Sequence, residues 1–231
     1  RVLARGCWSE VERFGFAEVP GTGPGWTIAV DGTILLGGAA QGTLAFGQPG
    51  RHNQLNALAA LAAARHAGVP VAHGLAALAT FAGVKRRMET RGTVHGITVY
   101  DDFAHHPTAI AVTLAALRRA VGGARILAVL EPRSNTMKLG AMKDALPGSL
   151  AAADRVFCHA ASLGWDAGAA LAPLGARASV HDDLGALVAA IRAEARPGDH
   201  VLVMSNGGFG GIHEKLLSAL AADGRAARIA D

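Results

Sequence analysis

The chain has 231 residues, enough for one large domain or two smaller ones, and a formal net charge of +4. Hydrophobic residues make up 51%, but alanine carries much of that share and aromatics only 5%, so the core should be built from Ala, Leu and Val. Scattered Arg and Lys without an aromatic-interleaved basic stripe argue against nucleic acid, and apolar runs such as 55–64 and 74–84 are too short for a membrane span. Cys7 and Cys158 form neither a disulfide framework nor a zinc pattern, and no charged-then-apolar leader opens the chain. A reducing cytoplasm is expected.

Residues 26–30 alternate towards a strand, Asp31-Gly32 is a hairpin turn, and 33–36 return as the partner. Residues 42–46 read as a further strand, closed by Pro49-Gly50. A helix follows, with Asn53 as its cap and Leu55, Leu58, Ala59 and Ala62 on one face; Gly68 and Pro70 end it. A second helix spans about 72–81. From about residue 83 strands and helices alternate. Strands are expected at 96–100, 125–131, 154–159, 177–180 and 200–204. Helices are expected after Pro107, from about Lys138, near 167–173, at 184–195 and at 212–222. This alternation implies right-handed crossovers and a mostly parallel sheet. The fold class is therefore α/β: a Rossmann-like domain over 83–231, preceded in 1–82 by the tail of a larger α/β domain that opens in mid-pattern.

Open parallel sheets bind ligands at the carboxyl ends of their strands. Tyr100-Asp101-Asp102-Phe103-Ala104-His105-His106-Pro107 puts two carboxylates and two imidazoles at such an end, able to serve a ribose, a metal or a proton; equally, Asp102 could simply cap the helix. Glu131-Pro132-Arg133-Ser134-Asn135-Thr136-Met137-Lys138 reads as an anion cradle directly after a buried strand. Ser205-Asn206-Gly207-Gly208-Phe209-Gly210-Gly211 lets backbone approach a ligand at a helix start, but it is neither a dinucleotide fingerprint nor a phosphate loop. Ser162, Trp165 and Asp166 read as packing and capping residues, and Lys85-Arg86-Arg87 as a solvated charge run.

In order and spacing, Gly50-Arg51-His52-Asn53 through Asn56, Phe81-Ala82-Gly83-Val84-Lys85-Arg86-Arg87 and Asp101–Thr108 resemble the Mur ligase family, whose members join an amino acid or peptide to a UDP-N-acetylmuramoyl carboxylate using ATP. Residues 131–139 and 205–213 resemble the branch that adds the tripeptide L-Ala-γ-D-Glu-meso-diaminopimelate to UDP-N-acetylmuramate in peptidoglycan recycling. The resemblance implies that His52, Asn53 and Asn56 meet the adenine side of ATP, Arg87 its phosphates and Asp102 its ribose. It implies that His105, His106 and Arg133 line the reacting cleft, and that Ser134, Asn135, Lys138, Ser205, Asn206, Gly207, Gly208, Phe209 and Gly210 hold the peptide. The chemistry implied is an acyl phosphate on the muramoyl carboxylate, attacked by the peptide amine. The family's phosphate loop, UDP-binding domain and Mg²⁺-binding acids lie upstream of the Asn53 segment, so no metal ligand is expected here and the chain alone is expected to be inactive. Two alternatives are the L-alanine-adding branch, which shares 102–108, and a non-catalytic nucleotide- or peptide-binding module.

Overall fold

A computed structural model describes residues 3–19, 25–48, 50–161 and 163–227, with side chains in the last helix to Ala222. The chain divides into two compact units, Arg1–Gly83 and Val84–Asp231.

In the first unit, β1 (Phe14–Phe16), β2 (Trp26–Ile28), β3 (Thr33–Leu36) and β4 (Ala39–Thr43) form a sheet in sequence order. β1 runs parallel to β2; the other pairs are antiparallel. The Asp31-Gly32 hairpin forms as expected, with the Asp31 carboxylate accepting the Thr33 amide at 2.9 Å. β4 starts earlier than the expected 42–46. Gly37 and Gly38 both take positive φ, which closes a two-residue turn and returns the chain at once. Helix α1 (Arg51–His66) seats Leu58, Leu61 and Ala62 on Trp26, Ile28 and Ile34, and α2 (Val71–Ala79) follows it. The cap of α1 is Gly50, not Asn53. Gly50 takes φ 101°, while Asn53 lies inside the first turn. Pro49 lies outside the described residues.

The second unit opens with β5 (Glu89–Val94), β6 (Ile97–Asp102), α3 (Pro107–Val121), β7 (Ile126–Leu130), α4 (Asn135–Lys138) and α5 (Leu146–Ser149). It continues with β8 (Arg155–His159), α6 (Ala167–Leu171), β9 (Ala178–His181), α7 (Leu184–Glu194), β10 (His200–Met204) and α8 (Ile212–Ala227). The sheet order is β5-β6-β10-β7-β8-β9, all parallel except β5 against β6. Period-two alternation sorts the side chains. Ile126, Ala128, Leu130, Leu202 and Met204 face Leu114, Leu146 and Leu171, whereas Leu127, Val129, Val201 and Val203 face Leu187, Ile191 and Leu216. Fully burying each of the Val, Leu, Ile and Met side chains contributes about 1.5–3 kcal/mol. The helix expected from Lys138 breaks into short turns because Gly140, Pro147 and Gly148 interrupt it.

This winding creates the crevice. β6 and β7 send the chain to α3 and α4 on one face; β10, between them, sends it to α8 on the other. The loops therefore diverge beside the carboxyl end of β10, where an open α/β sheet binds its ligand.

Candidate active site

Asp101 and Asp102 end β6 and, being consecutive, point to opposite faces. Asp102 is 2% exposed and accepts from the amides of Met88 (2.9 Å) and Ala104 (2.8 Å) and the Thr113 hydroxyl (3.3 Å). Burial pushes its carboxyl above the usual range, against the pull of those amides, Arg87 and Thr113. A carboxylate so engaged braces the turn, and the helix cap belongs instead to His106, whose Nδ1 accepts the Ala109 amide at 3.4 Å. His105 pairs Nδ1 with the Phe103 carbonyl at 2.9 Å, so that nitrogen carries the proton. The neighbouring imidazoles thus offer opposite Nε2 atoms in their neutral forms: an acceptor on His105 and a donor on His106.

Across β6, Asp101 faces His213 (3.5 Å) and Arg86 (3.3 Å). Burial pushes its carboxyl up, but His213 and Arg86 outweigh this and hold it below the usual range. Arg86 also donates to the carbonyls of Ser205 (2.5 Å) and Gly207 (2.8 Å). It is therefore a clamp on the glycine-rich loop, unlike the solvated charge expected. Arg87 is exposed, with no hydrogen bond or ion pair among the described residues.

The loop is held from the other side too. The Ser205 hydroxyl donates to Glu131 at 2.6 Å and accepts the Gly207 amide at 2.9 Å. The guanidinium of Arg133 lies against Gly207, where an added Cβ would come within 2.7 Å of its Cζ. Phe209 is buried and tilts against His159 at 5.6 Å between ring centroids, so its ring anchors the loop while the glycines beside it stay exposed. Asn206 turns its Oδ1 inward with no hydrogen-bond partner among the described residues. Ser134 caps α4 by accepting the Met137 amide at 3.4 Å, and Asn135 begins that helix, exposed.

Between the β7 and β8 ends lies a cleft of about 170 Å³, lined by Glu131, Pro132, Arg133, Lys138, His159 and Leu163 among others. Arg133 and Lys138 of the expected anion cradle both line it, joined by Glu131 and His159, which single strand-end positions do not advertise. Trp165 and Asp166 pack and cap as expected: Trp165 donates to the Met137 carbonyl at 2.7 Å, and Asp166 accepts the Ala169 amide at 3.0 Å. Ser162 lies outside the described residues. In the first unit, Asn56 donates to Asn53 at 3.4 Å on α1, with His52 one residue earlier. No cluster of three or more His, Cys, Asp or Glu able to hold a metal occurs among the described residues.

Residues 86–207, from Arg86 to the glycine-rich loop and including the cleft between the β7 and β8 ends, match the family model described as "Mur ligase, glutamate ligase domain". The chain belongs to the Mur ligase family. This Mur ligase chain is 49% identical over 230 residues to the UDP-N-acetylmuramate–L-alanyl-γ-D-glutamyl-meso-2,6-diaminoheptandioate ligase of Escherichia coli (strain K12), covering 99% of the chain and 50% of that relative. The ligase of the same name from Haemophilus influenzae is 46% identical, covering 94% of the chain and 49% of that relative. A crystal structure of a murein peptide ligase from Psychrobacter arcticus 273-4 superposes with a TM-score of 0.72 at 36% identity, over 95% of the chain and 48% of that structure. The chain thus spans about half the length of the curated relatives it matches. No helix among the described residues is long and apolar enough to cross a membrane.

Proposed function

We propose that this chain carries the peptide-binding part of an ATP-dependent amide ligase that joins L-Ala-γ-D-Glu-meso-diaminopimelate to UDP-N-acetylmuramate in peptidoglycan recycling. The supporting observation is the cation-lined cleft of Arg133 and Lys138 beside a glycine-rich loop that Arg86, Glu131 and Arg133 hold in place. Relatives of nearly half-identical sequence carry that tripeptide in their names. In this reading residues 83–231 bind substrate, and 1–82 belong to the ATP-binding domain.

ATP supplies the phosphoryl group that activates the muramoyl carboxylate. Arg87, exposed and unpaired among the described residues, fits a nucleotide phosphate. Asp102 does not fit a ribose contact, since its carboxylate is buried and already accepts three donors. It instead orders the backbone that presents His105 and His106. In the reacting cleft His105 would take the proton that the attacking amine releases, and His106 would donate to developing negative charge. ATP and a UDP-sugar as substrates are the reason we place the reaction in the cytoplasm.

Calorimetric titration of the chain with the tripeptide and, separately, with L-alanine tests the reading. Saturable binding of the tripeptide alone is expected. Preferential binding of L-alanine would transfer the chain to the L-alanine-adding branch.

A further inference from the structure

The two edges of the six-stranded sheet are built differently. β5 is guarded. Its register shifts between Thr90 and Gly92, and Arg91 stands on it, paired with Glu89 at 3.8 Å and Glu214 at 2.7 Å. Bulges and charges of this kind keep an edge from pairing with another chain. β9, the opposite edge, has neither. Its residues Ala178-Ser179-Val180-His181 include no Lys, Arg, Asp, Glu or Pro, and each is half-buried.

The register shows which backbone groups of β9 are unused. The His181 carbonyl accepts the Ala160 amide at 2.9 Å, so His181 and, by alternation, Ser179 turn their N–H and C=O towards β8. Ala178 and Val180 turn theirs outwards. The Ala178 amide donates to the Gly175 carbonyl, which leaves the Ala178 carbonyl and both backbone groups of Val180 without a partner among the described residues. The side chains of Ala178 and Val180 pack on the α6 face, beside a groove of about 230 Å³. Gly168, Leu171, Ala172 and Gly175 complete its lining, so small apolar residues leave room there for a second strand.

Charge flanks the edge asymmetrically. Exposed Arg177 precedes it, and exposed Asp182 and Asp183 follow it. A second copy of the strand laid antiparallel and centred on Val180 matches all of these features. The two Val180 residues exchange a pair of N–H···O=C bonds, and each Ala178 carbonyl accepts from the partner's Asp182 amide. Arg177 then stands opposite the partner's Asp183, and the two Val180 side chains meet on the α6 face. A parallel copy would set Arg177 against the partner's Arg177, so charge selects the two-fold arrangement, which closes at two copies.

We infer that β9 is a self-pairing edge, where two copies of this chain join antiparallel about Val180 so that their six-stranded sheets run on as one. The inference stands apart from the peptide-ligase reading. The crevice beside β10 lies three strands away and stays open. Three paired positions per copy make a surface below that of a stable complex, so dissociation on the order of 0.1 mM is expected.

Sedimentation equilibrium of the whole chain from about 10 μM to about 1 mM tests this. The mass should rise from one copy towards two. Val180→Pro removes the outward amide but no bond of the β8 ladder, and edge strands tolerate proline. It should weaken association at least about tenfold, with circular dichroism and thermal unfolding checking that the sheet is intact. Asp183→Asn keeps an oxygen to cap α7 and removes the charge opposite Arg177, so it should weaken association about threefold. A native chain that stays monomeric at about 1 mM would overturn the inference. So would a dimer that neither substitution weakens, or a mass that climbs past two copies.

Discussion

Gly207 owes its identity to a neighbour's side chain rather than to its own backbone. It is not among the positive-φ glycines, yet a methyl group there would meet the Arg133 guanidinium. Because that obstacle is the far end of a flexible side chain, Gly207→Ala should displace Arg133 while changing stability by less than about 1 kcal/mol. Peptide affinity should fall about tenfold. Thermal unfolding beside calorimetry checks this, and an unchanged affinity would take Arg133 out of the site. At Asp101 the sign of the pH effect is set by partners. His213 and Arg86 hold its folded-state carboxyl below the usual range, so its contribution is present above the unfolded value of about 3.9 and lost as pH falls through the folded one. Asp101→Asn should therefore flatten the loss of stability below about pH 4 in urea titrations run across pH. Asp102 has the opposite sign, since burial raises it and ionisation at neutral pH costs stability.

At the scale of elements, α3 depends on an unusual cap. His106 accepts the Ala109 amide and Pro107 fills the first turn, so His106→Ala should cost roughly 0.5–2 kcal/mol, and His106→Asp should recover much of it. Chemical denaturation of the two variants measures the difference. β7 and β10 are readable from sequence as continuous apolar runs buried on both faces, and α7 and α8 by the helical period of one buried face. β5 is not. None of its residues is buried, its register shifts between Thr90 and Gly92, and its identity comes from pairing with β6. Among site residues, Arg133 and Lys138 stood out as cations in a polar strand-end loop. Glu131 and His159 did not, because their meaning depends on β7 and β8 lying side by side, which no local pattern states. Arg86 misled for the same reason: its carbonyl partners at Ser205 and Gly207 are more than a hundred residues away.

At the scale of the whole molecule, each unit closes its own core, around Trp26, Ile28 and Leu58 in one and on both faces of the six-stranded sheet in the other. The second core is much the larger. Limited proteolysis should therefore leave a resistant fragment beginning near Val84, and urea should melt the first unit before the second. A single cooperative transition by two probes would contradict this.

The strand made last sits in the middle. β10 pairs with β6 on one side and β7 on the other, although about seventy residues separate it from the latter. A growing chain that has reached residue 199 holds two separate half-sheets, each with an open edge. Neither can close until the final strand slides between them. Vectorial synthesis thus gives no early reward to the second unit. Folding should wait for release of the last helix, and a chain ending before His200 should aggregate rather than form part of the native sheet.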